Sequence, residues 1–247
     1  MLTPRSTATA WLALLGAAFV SSAALAQNLL INGSFETWPG RVPSYVSLPG
    51  GSTAMAGWIT TGNTVDLVGG GWQQADGSLS LDLDGSPGPG GVQQTFATIP
   101  GQWYTVEFFM AGNPQCGDPV KALSVEAAGF SNTFTFNTAG HSFVSMGWEL
   151  RSWCFRAHET STTLTITSLT ASATNCGAAI DGVVVEASSP PLVGDLDCNG
   201  FVNGADLAIL LGSWGLCSDC AVCRSDLNGD CSTDGADLAL LLGAWTG

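Results

Sequence analysis

Short runs in which apolar and polar residues alternate fill the chain from Asn28 to about Ala187, and glycine-rich turns separate them. The alternating runs are SLSLDLDG, WYTVEFFMAG, ALSVEAAG, TFTFNTAG and TTLTITSLT, and IDGVVVEA ends the region. None has a convincing 3.6-residue period. A period of two places successive side chains on opposite faces of a strand, and many short strands with tight turns are typical of an antiparallel β-sandwich. The sequence therefore predicts a mainly β fold, with the sandwich over residues 27–187.

The tail, residues 194–247, differs because a twelve-residue acidic segment occurs twice within it. DLDCNGFVNGAD begins at Asp195 and DLNGDCSTDGAD begins at Asp226. Each is followed by an apolar run that predicts a short helix, DLAILLGSWG or DLALLLGAWTG. One such helix cannot bury its own apolar face, so we expect the two to pack together. The side chains expected in that small core are Leu207, Ile209, Leu210, Trp214, Leu238, Leu241, Leu242 and Trp245.

Each acidic segment has the ligand spacing of a calcium loop. Such loops supply oxygen ligands from positions 1, 3, 5, 9 and 12 and a backbone carbonyl from position 7. The predicted ligands of the first loop are Asp195, Asp197, Asn199, Phe201, Asn203 and Asp206. Those of the second loop are Asp226, Asn228, Asp230, Ser232, Asp234 and Asp237. Position 6 usually needs glycine; it is Gly200 in the first loop but Cys231 in the second, so we expect a weaker or distorted second site. The alternative is a pair of surface turns rich in Asp, Asn and Gly.

The first 26 residues predict a secretory signal, with an apolar stretch and a small-residue cleavage site at Ala24-Leu25-Ala26. We therefore expect a secreted or extracellular protein without a membrane span in its mature form. All eight cysteines follow this segment, where oxidation favours disulfides. Three precede the tail and five lie in it, so either one bridge joins the two regions or each region keeps a free thiol. Cys116 and Cys176 are the expected loop-to-loop pair. A metal knuckle at CSDCAVC is the less favoured alternative, because no histidine accompanies it.

The charge balance excludes one class of partner. The chain has 6 Lys and Arg against 20 Asp and Glu. A nucleic-acid-binding protein needs a basic surface, and so few basic residues cannot form one. Asp82 and Asp84 lie on one face of a predicted strand, which is one arrangement for the two carboxylates of a glycosidase. Solvent-facing or loop-capping carboxylates are the favoured interpretation, because no pocket or nucleophile motif accompanies them. We therefore do not expect an enzyme.

Dispersed motifs in the sandwich region carry a family resemblance. They are NLLINGSFE at 28–36, GW at 57–58, VDLV at 65–68, the stretch from Trp72 to SLSLDLDG, VQQTFATIPGQWYTVEFFMAGNP, MGW at 146–148 and GAAIDGVVVE. Together they resemble the DUF642 family, also called choice-of-anchor C proteins, whose bacterial members carry varied C-terminal attachment devices. The resemblance implies a galactose-binding-like jelly roll, the fold of many carbohydrate-binding modules. It also implies neighbouring first and last strands that hold a structural calcium, for which Glu36 and Asp181 are candidates. Surface or capping carboxylates are the alternative.

Sandwiches that bind sugars use exposed aromatic rings that stack on the pyranose. Trp38 and Tyr45 lie in an irregular stretch and Trp72 lies beside three glycines, so these three are the predicted ligand-binding rings. The alternative for all three is local packing of loops.

The duplicated unit of calcium loop and helix, with Asp at position 12, resembles a type I dockerin module over residues 194–247. That resemblance implies calcium-dependent folding and docking onto a cohesin-like or other surface receptor. Cysteines at loop positions 4 and 6 depart from the pattern and suggest a disulfide-stapled variant with a different receptor. Residues 188–193 are the predicted linker.

The leading hypothesis is an exported, non-catalytic protein whose sandwich binds a polysaccharide or cell-wall glycan and whose tail attaches it through calcium. The alternatives are a structural component of an extracellular assembly and, less favoured, a polysaccharide hydrolase targeted by the tail.

Overall fold

The structure is a computed structural model that describes residues 27–170 and 175–247, so the predicted signal peptide lies outside the described residues. Twelve strands build the first region: β1 Tyr45–Pro49, β2 Ile59–Gly62, β3 Thr64–Val68, β4 Ser80–Asp82, β5 Asp84–Gly85, β6 Gly88–Ala97, β7 Trp103–Gly112, β8 Val120–Ala127, β9 Phe130–Asn137, β10 Glu149–Arg156, β11 Ser161–Ser168 and β12 Ala178–Ser188. The tail contains α1 Gly204–Gly212, β13 Gly215–Leu216, a 3-10 turn at Cys220–Val222, β14 Ser232–Thr233 and α2 Gly235–Gly243.

The twelve strands form two packed antiparallel sheets, which confirms the predicted sandwich. The first sheet has the order β1-β3-β4-β12-β7-β10, and the second has the order β2-β6-β11-β8-β9 with β5 also paired to β6. Alternation decides which side chains fill the space between the sheets. In β7 the side chains of Val106, Phe108 and Met110 are completely buried, whereas the intervening Glu107 is exposed. The same alternation in the facing strands supplies one continuous apolar core.

The tail has a much smaller core, built mainly from Leu196, Val202, Leu210 and Leu241. The prediction that Trp214, Leu242 and Trp245 are buried there is wrong, because these side chains are 51%, 51% and 42% exposed. Each helix has nine residues and contributes only one completely buried apolar side chain to the contact, so the remaining large side chains face outward.

The two repeats of the tail are paired crosswise. The segment after α1 pairs with the second loop, where β13 joins β14. At the equivalent place after α2, Thr246 donates its backbone N–H to the carbonyl of Val202 in the first loop at 3.0 Å. The two loops are therefore held by each other's repeat, and the tail forms a single pseudo-symmetric unit.

All eight cysteines are paired. The structure joins Cys116 to Cys176, the pair expected from the sequence. A second bridge, Cys154 to Cys198, links β10 of the sandwich to the first loop of the tail. Of the two possibilities left by the odd cysteine counts, the structure therefore has the bridge between regions and no free thiol. The remaining pairs, Cys217–Cys223 and Cys220–Cys231, lie within the tail. These bonds account for every cysteine of the CSDCAVC segment. None of the helices among the described residues is long and apolar enough to cross a membrane.

Candidate functional site

A cavity of about 250 Å³ opens on the first sheet, on the face opposite the core side chains of β3 and β4. Its walls come from β1, β3 and β4 and from the loops before β4, β6, β8, β10 and β12. Its lining residues are Ser44, Tyr45, Asp66, Val68, Gly71, Trp72, Asp82, Ser86, Asn113, Gln115, Phe143 and Asn175. Aromatic rings and polar groups thus face one enclosed space, which is the usual composition of a small-ligand site.

Two of the three predicted rings line this cavity. Tyr45 is 60% exposed at one wall, and the indole N–H of Trp72 donates to the Ser80 hydroxyl at 2.8 Å, which fixes its ring. Phe143, which sequence reasoning missed, lies with its ring centroid 6.4 Å from that of Trp72. Trp38 is outside the cavity and packs half-buried against the sandwich core. Trp38 therefore takes the alternative role considered for it, which was local packing and not ligand binding.

Gln73 positions the aromatic wall. Its backbone N–H donates to the Phe143 carbonyl at 2.7 Å, and its side-chain oxygen accepts the Met146 N–H at 3.0 Å. Its own carbonyl accepts the indole N–H of Trp148 at 2.9 Å. These bonds join the loop that carries Trp72 to the segment that carries Phe143, so the two rings are held by a common backbone contact.

The polar side of the cavity carries two carboxylates from neighbouring strands. Asp66 of β3 and Asp82 of β4 are direct cross-strand partners, so their side chains lie on the same face. The Ser47 hydroxyl donates to Asp66 at 2.6 Å, and the Asn113 amide donates to Asp82 at 2.8 Å. Burial raises the pKa of Asp66, and its bond from Ser47 opposes that rise. The cavity partner of Asp82 is thus Asp66 rather than Asp84, which lies completely buried in β5.

The protonation of Asp82 predicts a pH dependence of folding. Burial raises the pKa of Asp82 from 3.8 to about 7, although hydrogen bonds from Asn113 and two backbone N–H groups oppose the rise. The folded chain therefore binds an additional proton between these values. The stability that this proton contributes is complete below about pH 4 and is lost as the pH rises through 7. Between pH 4 and pH 8 we expect the unfolding free energy of the unchanged protein to fall more than that of Asp82→Asn, with a difference on the order of a few kcal/mol. Urea unfolding of both proteins checks this, and equal losses would contradict it.

Glu36 and Asp181 hold one loop from two sides. Glu36 accepts backbone N–H bonds of 2.8 and 2.7 Å, and Asp181 accepts bonds of 3.0 and 2.8 Å, all from residues 75–79. Gly77 in this loop has φ +61°, and an added Cβ would lie 2.5 Å from the Glu36 carboxylate. Both carboxylates therefore act as caps of the loop that follows Trp72. A calcium ion at this pair stays a prediction.

In the first loop of the tail, the carboxylates of Asp195, Asp197 and Asp206 converge, with one oxygen of each within 4.8 Å of the others. Burial raises the pKa of Asp195 and of Asp197, and the neighbouring Asp206 carboxylate adds to both rises. Such crowding is the electrostatic situation that a bound divalent cation relieves, and oxygen donors are those that Ca²⁺ prefers. The donor set thus fits Ca²⁺.

Positions 9 and 12 of each loop also start the helix that follows. Asn203 and Asp234 are the N-cap residues of α1 and α2, and each makes a capping box with the position-12 aspartate, Asp206 or Asp237. Asp206 is completely buried and accepts backbone N–H bonds from Leu196, Asp197 and Asn203. Asp237 accepts the equivalent three bonds in the second loop. The same side chains therefore fold the loop, cap the helix and supply the predicted ligands.

Positions 4 and 6 are Cys and Gly in the first loop but Gly and Cys in the second. Positions 4 and 6 have left-handed backbones in both loops: Cys198 (φ +60°) and Gly200 (φ +87°) in the first, Gly229 (φ +80°) and Cys231 (φ +69°) in the second. A left-handed residue other than glycine costs roughly 1–2 kcal/mol. Each strained cysteine is held by a disulfide. Cys231 therefore adopts the left-handed backbone that position 6 needs, and the weaker second calcium site stays a prediction.

Gly200 offers a test of this backbone requirement. An added Cβ at Gly200 meets no atom within 4 Å, so any effect of Gly200→Ala comes from the left-handed backbone alone. We expect the variant to lose about 1–2 kcal/mol of tail stability. Gly204→Ala is the matched control, since Gly204 has equally open surroundings but lies in α1. Calorimetric melting of both variants distinguishes them, and an equally tolerated Gly200→Ala would show that the turn is not required.

Comparison with known protein families gives a match over the sandwich region. Residues 28–186 match the family described as Protein of unknown function (DUF642). The chain belongs to the DUF642 family. The DUF642 match contains every residue of the cavity and ends before the tail begins.

Halomucin of Haloquadratum walsbyi is 36% identical to this DUF642 chain over 182 residues, which are 72% of the chain and 2% of halomucin. The chain therefore spans only a small fraction of that relative. Two solved structures are more distant. The CBM22-1 xylan-binding domain of Paenibacillus barcinonensis Xyn10C is 15% identical, with coverage of 62% of this chain and 99% of that domain and a TM-score of 0.36. TmCBM61 in complex with β-1,4-galactotriose is 18% identical, with coverage of 66% and 99% and a TM-score of 0.35.

Proposed function

We propose that the protein is a secreted, non-catalytic binding protein whose sandwich recognises a neutral glycan in the cavity on the first sheet. The observation that carries this proposal is that the rings of Tyr45, Trp72 and Phe143 line one cavity together with polar side chains. Aromatic faces stack on the apolar faces of sugar rings, and carboxylate and amide groups hydrogen-bond to hydroxyl groups.

The charges of the cavity narrow the ligand class. Asp66 and Asp82 contribute carboxyl groups, and no Lys or Arg is among the described residues that line the cavity. An acidic sugar would bring a carboxylate or sulfate close to two carboxyl groups without a cation to pair it. Neutral hydroxyl-rich units are therefore the expected ligands, and the cavity volume suits one or two sugar rings.

The test is a binding screen of the full chain against matched neutral and acidic polysaccharides, followed by titration of oligosaccharides from any that bind. We expect retention on at least one neutral glycan and little on its uronic-acid counterpart. A folded protein that binds none of them would favour the structural alternative, in which the cavity has no sugar ligand.

Catalysis is the second candidate for the same cavity, because Asp66 and Asp82 are paired carboxyl groups and Asp82 has a raised pKa. The contacts of Asp82 favour binding instead. One of its oxygens accepts two backbone N–H bonds, from Asp84 and Gly177, and the other accepts the Asn113 amide. Both oxygens of Asp82 therefore accept hydrogen bonds that hold the ends of the neighbouring strands. Release of reducing sugar from the bound glycan, abolished by Asp82→Asn, would overturn the non-catalytic assignment.

For the tail we propose calcium-dependent attachment to a receptor protein, with one Ca²⁺ in each loop. The proposal is supported by the duplicated oxygen-donor sets and by apolar side chains exposed at equivalent places in the two repeats. Leu211 and Trp214 in the first repeat, and Leu242 and Trp245 in the second, are each 42–51% exposed. A cohesin-like domain or another surface protein is the expected partner. Four disulfides suit the oxidising surroundings of a secreted protein.

Calorimetric titration of the full chain with Ca²⁺ tests the tail, and we expect two sites. Absence of any calcium response at millimolar concentration would overturn the assignment of the loops.

A further inference from the structure

The tail is fastened to the sandwich by a group of residues that we call the clamp: Cys154 and Phe130 from the sandwich, and Cys198, Val222 and Arg224 from the tail. The covalent part is the disulfide between Cys154 in β10 and Cys198. Cys198 is position 4 of the first loop, between the predicted ligands Asp197 and Asn199. The ligand-bearing backbone of the first loop is thus bonded directly to a sandwich strand.

Arg224 forms the polar part of the clamp. Its guanidinium donates to the Cys154 carbonyl at 3.1 Å, and its central carbon lies 6.0 Å from the centre of the Phe130 ring. Burial lowers the pKa of Arg224, and the carboxylates of the first loop oppose that shift. The guanidinium therefore contacts the sandwich and is attracted by the carboxylates of Asp195, Asp197 and Asp206. With Ca²⁺ bound, these three carboxylates keep a net negative charge, so they continue to attract Arg224.

The apolar part of the clamp is Val222, which packs against the edge of the sandwich core. A methyl group of Val222 lies 3.3 Å from the place where Gly129, in the turn between β8 and β9, would carry a Cβ. Among the described residues no disulfide joins the second loop to the sandwich, although its first residues, Asp226 and Leu227, line one cleft together with Trp103 and Phe130. Its cysteine, Cys231, is bonded to Cys220 within the tail.

We propose that the clamp makes the first loop and the sandwich one coupled unit, so that calcium bound in the first loop stabilises the sandwich more than calcium bound in the second. This inference rests on the calcium binding proposed above. A ligand that binds only the folded state raises the stability of every part that unfolds together with its site. The first loop meets this condition most directly, because the disulfide joins its own backbone to β10. The second loop follows Val222 and Arg224 of the clamp but has no covalent bond of its own to the sandwich.

The experiment separates sandwich unfolding from tail unfolding by fluorescence. In the full chain carrying Trp214→Phe and Trp245→Phe, every remaining tryptophan of the described residues lies in the sandwich. Thermal melts with Ca²⁺ and with a chelator are compared in this parent protein and in Asp195→Ala and Asp226→Ala, which alter position 1 of the first and second loops. Two further variants test the clamp itself: Cys154→Ser with Cys198→Ser, and Arg224→Gln, which keeps the disulfide.

The parent is expected to melt roughly 5–10 °C higher at a Ca²⁺ concentration about 100 times the dissociation constant. Asp226→Ala should keep most of this shift, whereas Asp195→Ala and the double serine variant should lose it. Arg224→Gln should lose part of it. Equal shifts in the two loop variants, or an undiminished shift without the disulfide, would overturn the coupling. Calcium binding measured by calorimetry without any sandwich shift overturns the clamp alone, and absence of binding overturns the tail assignment together with it.

Discussion

Replacing Asp206 by alanine is expected to abolish calcium binding at the first loop and to unfold the first repeat of the tail. Asp206 is completely buried and accepts three backbone N–H bonds, from Leu196, Asp197 and Asn203. Removing the carboxylate leaves these donors unpaired, at a cost of about 1–3 kcal/mol each. A core as small as that of the tail, with four buried apolar side chains, cannot offset this loss.

Asp206→Asn separates the two roles of this side chain. The amide oxygen still accepts the bonds from Leu196 and Asp197, and only the bond from Asn203 is lost together with the negative charge. The repeat should therefore stay folded while calcium affinity falls about 10- to 100-fold. Calorimetric titration measures the affinity, and thermal melting verifies that the variant is folded. Asp237→Asn is the matched change in the second loop and should weaken only that site. An alanine variant with unchanged calcium affinity would show that position 12 is not a ligand.

The parts of this protein that could be predicted are those encoded locally. Alternation over eight to ten residues determines which face of a strand is buried, as in WYTVEFFMAG, where Val106, Phe108 and Met110 are completely buried and Glu107 is exposed. The loop spacing is local as well, because a twelve-residue segment contains every ligand that it predicts. Position 12 also serves as the N3 residue of the capping box, so a single residue pattern determines loop and helix together.

The cavity was only partly predictable because it depends on register and on loop packing. Asp66 and Asp82 become neighbours through the pairing of β3 with β4, which the sequence does not specify. Phe143 lies in a segment without strand periodicity and reaches the cavity through the hydrogen bonds of Gln73. The misplaced burial of Trp214 and Trp245 has a similar cause, since the crossing of two short helices decides which of their apolar side chains meet.

Replacing Trp72 by alanine is expected to produce the largest loss of glycan binding among single changes in the sandwich. Its ring forms the wall that Phe143 extends, and the bond from its indole to Ser80 holds it in place before a ligand arrives. A ring that is already fixed loses little side-chain entropy on binding, so its stacking contributes fully to affinity. We expect affinity for the bound oligosaccharide to fall about 10- to 100-fold, which corresponds to about 1.4–2.8 kcal/mol.

Two further variants decide whether the loss belongs to the cavity. Tyr45→Ala should also weaken binding, but less, because Tyr45 is more exposed and none of the described hydrogen bonds fixes its ring. Trp38→Phe is the matched control, since Trp38 packs on the core outside the cavity, and it should change affinity by less than about two-fold. Titration calorimetry measures affinity, and thermal melting verifies that each variant is folded. If Trp38→Phe lost binding while Trp72→Ala kept it, the ligand would bind beside Trp38 and not in the cavity.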